Sequence, residues 1–349
     1  MMDPDLNRDL VSLNMIKGVE VEGQTVRFDV VLTTPACPLK EKIKQDCIET
    51  VRKYLGEECM VEPNMTANVT TTRDNMELLS GVKNIIAVSS GKGGVGKSTV
   101  SANLAVALAK GGAKVGLLDA DIYGPSVPTM FNCETERPDV KKVDGKDIII
   151  PVEQYGIKLI SIGFLTGDNA VIWRGPMANS ALKQFILDTD WGELDYLLID
   201  LPPGTGDIHL GLVQTLPVTG AVVVTTPQKV ALMDAKKSVN MFKKPSISVP
   251  VLGVVENMAY FTPEELPENK YYIFGKDGGK ELAEANGVPL LGQIPIVQSI
   301  RESGDSGYPA IMKEGVTEEA FTALAEETAR QVAIRNAKQE QTKKVEFTT

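Results

Sequence analysis

The stretch NIIAVSSGKGGVGKSTV, residues 84 to 100, constrains the fold more than any other. An apolar run of strand length ends in a glycine-rich turn, and the turn opens directly into a helical pattern over 97–110. Gly91 to Ser98 satisfies G-x-x-x-x-G-K-[ST], a loop whose successive backbone N–H groups and following helix N-terminus surround a phosphate. The expected nucleotide contacts are Gly91, Gly93, Gly94, Val95, Gly96, Lys97, Ser98 and Thr99. Lys97 is placed to reach β/γ oxygens, and the Ser98 hydroxyl to ligate Mg²⁺.

The sequence after residue 84 repeats that alternation. NIIAVSS, AKVGLLDAD, IKLISIGF, DYLLIDLPPG, GAVVVTTPQ, VPVLGVVENM and PLLGQIPI read as buried strands, with helical patterns over 97–110, 178–188, 229–243 and 317–335 between or after them. Buried strands separated by helices predict an α/β fold: a mostly parallel, doubly wound P-loop sheet covered on both faces, with ligands at its carboxyl edge. Residues 1–75 read differently. A turn at Glu22-Gly23 joins two alternating runs as a hairpin, a helical pattern follows over 37–56, and CMVEPNMTANVT alternates again. The expected organisation is a small α+β domain over 1–75, a linker over 76–83, the P-loop domain over 84–335 and a polar tail over 336–349.

The net charge of −10 offers no basic excess to replace counterions along a nucleic-acid backbone, so nucleic acid is not an expected partner. No apolar run reaches the length of a membrane span, and MMDPDLNRDL lacks the basic and apolar regions of a signal peptide, so the expectation is a cytoplasmic protein that does not act at a membrane. The four cysteines, Cys37, Cys47, Cys59 and Cys133, form no C-x-x-C pair and are expected as free thiols.

Polar residues collect where the predicted strands end. LLDADIYG ends a strand with Asp119 and Asp121, two carboxylates one residue apart that project the same way and suit Mg²⁺-bound and attacking waters. YLLIDLPPGTGD ends one at Asp200, the position that holds Mg²⁺ through water, followed by Gly204. VVENM ends one at Asn257, whose amide matches an adenine edge, and Gln228 is a second candidate for that wall.

A second lysine, Lys92, opens the loop, where one lysine would serve a single phosphate chain. GKGGVGKS resembles the deviant Walker A signature of the MinD/Mrp group of dimeric P-loop ATPases. That resemblance implies a homodimer in which Lys92 contributes charge to the partner's phosphates. It also implies that Asp121 orients the hydrolytic water, that Asp119 lies on the Mg²⁺ side, and that the Gly204 N–H senses a γ-phosphate. DADIYGPSVP, WRGPM, DYLLIDLPPGTGD, TTPQKVAL and GDSG are similar to the Mrp/ApbC iron–sulfur cluster carriers, and DPDLNRDLVSLNMIKGVEVEG with LTTPACPLK resembles the MIP18-like module that precedes the ATPase domain in many of them. The expectation is a Mg²⁺-dependent ATPase that carries iron–sulfur clusters, a [4Fe–4S] cluster by resemblance, from assembly scaffold proteins to apoproteins.

Two departures from the family pattern stand out. Its C-x-x-C pair has no counterpart in NMAYFTPEELPENKYYIFGKDGG, which resembles the cysteine-free segment of a chloroplast branch. The candidate cluster ligands then reduce to the four cysteines. Cys37, at the start of a helix whose dipole would favour a thiolate, and Cys133, which follows the Asp121 loop, are the leading ones, each against a packing role, and Cys59 is left unassigned. Cys47 falls on an apolar helix face, and His209, the sole histidine, is expected as a helix-surface or packing residue. The rival expectation is a nucleotide-driven switch that positions a partner protein without a cluster. The second departure is at the front, where the family module usually has a helix before the Asp-Pro and this sequence starts almost on it at Asp3-Pro4, so the expectation is an upstream start or a trimmed N-terminus.

Overall fold

The computed structural model describes residues 1–73, 78–166, 175–263, 265–266 and 268–343. Trp173 and Arg174 of the WRGPM motif, part of the expected linker and the end of the tail lie outside them. At the front, β1 (Ile16–Glu22) and β2 (Thr25–Leu32) form the expected antiparallel hairpin, closed at Gly23 with φ +60°. Then α1 (Lys40–Leu55) crosses to β3 (Met60–Ala67), which pairs parallel with β2. Every second residue of β2, Val26, Phe28, Val30 and Leu32, is buried, and with Ile43 and Cys47 of α1 they form a small core.

The main sheet begins at β4 (Val82–Ser90), followed by α2 (Lys97–Lys110), β5 (Val115–Asp119) and the short α3 (Val127–Met130). Next come β6 (Asp139–Val143), β7 (Lys146–Ile150), β8 (Val152–Gln154), β9 (Ile157–Ser161) and α4 (Gly163–Thr166). The chain continues through α5 (Gly175–Leu187), β10 (Leu194–Asp200), α6 (Asp207–Thr215), β11 (Gly220–Thr225) and α7 (Lys229–Lys243). It finishes with β12 (Val251–Glu256), α8 (Gly278–Ala285), β13 (Leu290–Gln293), α9 (Gln298–Ser306) and α10 (Val316–Lys338).

The strand order is β13-β12-β11-β4-β10-β5-β9-β8, parallel throughout except for β8 at the edge. Apolar residues of β4 alternate between two cores. Ile86 and Val88 pack with α2 and α10, while Ile85 and Ala87 face the layer of α5, α6 and α7. The crossovers from β4 run first toward β5 and β9 and later toward β11, β12 and β13. Strand order therefore reverses beside β4, where a crevice opens at the carboxyl edge.

The β6–β7 hairpin and β8 are additions to the expected pattern. Asp144 and Gly145, both at positive φ, close the hairpin as a D-G turn, but its exposed Val140 and Val143 lie outside either main core, so it lacks the buried signature of the other strands. No described helix is long and apolar enough to cross a membrane.

The front module is docked on the main sheet. Tyr196 OH donates to Thr34 Oγ1 at 3.2 Å, Arg330 Nε to Asp5 Oδ1 at 2.8 Å, and Ala36 joins the core beneath α2. Buried Arg73 anchors the connection, donating to the carbonyls of Val82, Pro217 and Leu78 and forming no ion pair among the described residues. Burial pushes its pKa down to about 10. A Cβ at Gly111 would stand 3.1 Å from the Ala36 Cβ. Gly111→Leu is expected to wedge this contact apart, accelerating limited proteolysis near residues 68–81 while leaving the melting of the main sheet little changed. Proteolysis as slow as wild type would show that the contact does not hold the module.

Candidate functional site

The loop after β4 is shaped by two close backbone approaches. A Cβ at Gly91 would fall 2.1 to 2.5 Å from the α7 backbone at Asp234 and Ala235, so only glycine lets strand and helix meet there. Gly96 has φ +78°, and a Cβ on it would meet Asn257 Nδ2 at 2.2 Å. That amide donates to the Val95 carbonyl at 2.9 Å, while the Asn257 backbone N–H donates to Thr225 O at 2.8 Å. Asn257, expected at an adenine edge, thus ties the end of β12 to the loop through its donor. Gln228, the second candidate for that wall, is an exposed residue capping α7, and its Oε1 accepts from Thr226 Oγ1.

The loop encloses a cavity of about 210 Å³ lined by Lys92, Lys97, Ser98, Asp121 and Pro203 among others. Lys97, buried in the first turn of α2, places Nζ 2.8 Å from Asp200 Oδ2 and 3.6 Å from Asp121 Oδ2. Ser98 Oγ donates to Asp200 Oδ2 at 2.6 Å and Ser101 Oγ to Oδ1 at 2.8 Å. The Asp200 carboxylate is fully buried, with its charge and lone pairs met from one face of α2. Ser101 was not singled out in the sequence reading; its spacing of three from Ser98 was the available signal. Lys92 is exposed, and its ammonium forms no ion pair among the described residues.

Asp119 lies level with Asp200 and is enclosed by its neighbours. It is fully buried, and its oxygens accept from Ser161 Oγ at 2.8 Å, Val127 N at 3.3 Å and Asp121 N at 3.2 Å. Its carboxyl is enclosed beside Asp200 and shapes the loop that carries Asp121. Parallel register sets Asp119 level with Asp200 on β10 and Ser161 on β9. Burial first, and the Asp200 charge second, push its pKa up to about 7. Burial also raises Asp121, against the opposing Lys97 charge.

Gly204, at φ +97°, donates its N–H to Ser90 O at 2.8 Å, so the turn after β10 lies against the start of the loop. Oxygen donors of Ser98 and Asp200 converge next to the cavity, a hard set that fits Mg²⁺ shared with phosphate oxygens.

The thiols lie elsewhere. Helix α1 begins at Lys40 rather than at Cys37, and burial pushes the half-buried Cys37 thiol up, so the expected dipole-stabilised thiolate is not found. Cys133 is 2% exposed, donates to Pro128 O at 3.5 Å and is pushed up to about 12. Cys47 and Cys59 sit in or beside the small front core. Among the described residues no three His, Cys, Asp or Glu side chains group as a metal site. His209 is buried against Ser89 rather than on a helix surface.

Residues 81–332 match the family model described as NUBPL iron-transfer P-loop NTPase, and residues 1–62 match that of an iron–sulfur cluster assembly protein. The chain is 48% identical over 339 residues to an iron–sulfur cluster carrier protein of Synechocystis, covering 96% of this chain and 95% of that one. The chain belongs to the Mrp/ApbC family of iron–sulfur cluster carrier P-loop NTPases. A chloroplastic Fe–S cluster assembly factor of Arabidopsis thaliana is 45% identical, over 92% of this chain and 60% of its own length. Among solved structures, a nucleotide-binding protein of Archaeoglobus fulgidus in complex with ADP superposes with TM-score 0.60 at 40% identity, covering 70% of this chain and 95% of that one. The cell division ATPase MinD of Pyrococcus furiosus superposes with TM-score 0.51 at 27% identity, covering 70% and 97%. Within this Mrp/ApbC chain, the segment from Asn257 to Gly279 has no cysteine.

The inward carboxyl of Asp119 has a pH signature. Because its folded pKa lies above the ordinary 3.8, the native state holds a proton that the unfolded chain loses, and this group's contribution to stability falls as pH rises from about 4 to about 7. Asp119→Asn is expected to flatten that part of the pH dependence of the urea midpoint; an unchanged slope would rule out Asp119 as its source.

Proposed function

We propose that this chain is a Mg²⁺-dependent ATPase that acts as a homodimer and carries iron–sulfur clusters to apoproteins. The observation that carries the ATPase reading is the convergence of Lys97, Ser98, Asp121 and Asp200 beneath the Gly91–Ser98 backbone at the strand-order reversal. Polyphosphate lies along the loop, with the N–H groups of Gly93, Gly94, Val95, Gly96, Ser98 and Thr99 directed at it and Lys97 on the β/γ oxygens. Ser98 and Asp200 hold Mg²⁺, which neutralises charge on the phosphate oxygens when bound. Asp121 orients the attacking water, and the Gly204 N–H leaves Ser90 O to meet a terminal phosphate.

Lys92 supplies charge in trans. It stands exposed at the cavity rim without an ion pair among the described residues, as a group directed to a second copy's phosphates requires. Lys92→Ala is expected to keep nucleotide affinity within about threefold while lowering turnover by at least about 10³-fold. Isothermal titration and phosphate release check this, and ordinary turnover by the variant would remove the trans role. Lys97→Ala removes nucleotide binding and strips the buried Asp200 of its counter-charge, destabilising the fold by about 3–5 kcal/mol. A thermal melt without nucleotide separates that cost from the loss of binding.

The cargo reading rests on the relatives' names and on the front module's match. Cys37 is the cluster ligand favoured here because it alone of the four cysteines is not fully buried. Anaerobic reconstitution with iron and sulfide tests this: wild type and Cys133→Ser are expected to bind cluster, and Cys37→Ser to lose it. The cysteine-free Asn257–Gly279 segment and the raised thiols favour a second reading, a nucleotide switch that positions a partner protein without a cluster. Persistent ATPase activity with no cluster bound by any form would select it.

A further inference from the structure

Three contacts from the segment after β10 land on consecutive residues of β4, immediately before the phosphate loop. Leu201 N donates to Val88 O at 3.0 Å, Gly204 N to Ser90 O at 2.8 Å, and His209 Nε2 lies 3.3 Å from Ser89 Oγ. The first continues the parallel ladder and the second is the bond a terminal phosphate would compete for. The third joins the first turn of α6 to the same strand from the far side of the turn.

His209 is 2% exposed, and among the described residues its ring meets Ser89 through Nε2 and the backbone of Gly206, with no side-chain partner for Nδ1. A buried imidazole bonded to a neighbouring strand calls for a reason beyond packing, since an apolar side chain of similar size would fill the space without burying polar atoms. Burial, and then the Lys97 charge, push the imidazole down to about 4, so the ring is neutral and carries one N–H. The Ser89 hydroxyl can donate or accept, so the Nε2 contact forms in either neutral tautomer, and the Gly206 backbone bonds the ring as well.

We propose that His209 is the positioning residue of the turn after β10: by bonding Ser89 it holds α6 against β4, so that transfer of the Gly204 N–H from Ser90 to a nucleotide's terminal phosphate moves residues 202–206 alone. The proline pair Pro202-Pro203 and positive-φ Gly204 make that stretch a short stiff arm with one pivot at each end. Without the far pivot, α6 follows the turn, and part of the difference between nucleoside triphosphate and diphosphate is spent on moving a helix. The proposal rests on the nucleotide reading of the site given above.

The test is the affinity of wild type, His209→Phe, His209→Gln and Ser89→Ala for ADP and for a non-hydrolysable ATP analogue, each with Mg²⁺. His209→Phe is expected to keep ADP affinity and lower the preference for triphosphate about tenfold, within the usual range for coupling between sites. His209→Gln, which keeps a donor toward Ser89, is expected to restore most of it. Ser89→Ala removes the bond without touching α6, so it carries the test if His209→Phe fails to fold. As the sole histidine, His209 gives one set of ring nitrogen signals in isotope-labelled protein; these are expected to report a neutral ring with and without the analogue. Wild-type preference in both the Phe and Ala variants, equal affinity of wild type for the two nucleotides, or a ring that titrates near its ordinary 6.5 would overturn the pivot. Wild type that binds neither nucleotide overturns the nucleotide reading itself.

Discussion

The pairing of Lys97 with Asp200 is the interaction around which the rest of the site is arranged. An ammonium and a carboxylate, both removed from water, sit 2.8 Å apart at the junction of α2 and β10. Neither charge is tolerable there alone, and the hydroxyls of Ser98 and Ser101 complete the carboxylate's hydrogen bonding. A pair of this kind demands that helix and strand meet in one register. The β4–β10–β5 ladder provides that register, setting Asp200 level with Val88 and Asp119. The same ladder sets Asp119 level with a second carboxylate, whose charge adds to burial in raising its pKa, while Ser161 and two backbone N–H groups donate to its oxygens.

Two glycines carry the loop because two other elements occupy the space a side chain would need. At Gly91 the α7 backbone is in the way, and at Gly96 the Asn257 amide is. The loop is therefore held from β11, β12 and α7 on one side and from β10 on the other. A change at the Gly204 turn or at Asn257 reaches it through one contact. This gives a physical route by which nucleotide could alter surfaces several strands away, in the direction of the segment that follows Asn257.

The cysteines show how far a family pattern and a local environment can disagree. A helix start beside Cys37 implied a stabilised thiolate, yet α1 opens three residues later and nearby Asp3, Asp5 and Glu326 oppose negative charge on sulfur. Cys133 is held in the core by a carbonyl. Cluster binding at either position has to overcome that environment. The absence of a C-x-x-C pair after β12 therefore bears on chemistry as well as on family membership.

Much of this protein was written locally. The P-loop spacing, seven apolar strands and the hairpin at Gly23 depend on neighbours within a few residues, and each is found where its pattern placed it. Lys97, Ser98 and Asp200 were recognisable because glycine-rich loops and strand-end carboxylates leave marks in short stretches of sequence. Asp119 and Asp121 were indistinguishable at that level: their spacing says they share a side, and only the packing of β9 and β10 decides that one is sealed inside while the other lines the cavity. Ser161 and Ser89 were invisible for the same reason, since a lone serine at a strand end gains meaning only from what the sheet sets beside it. Sequence determined the seven core strands, the front hairpin and the chemistry of the loop, because these follow from near neighbours along the chain. Tertiary structure decided which polar side chains share a charge or a proton, because those partners lie tens to hundreds of residues apart and meet only through strand order.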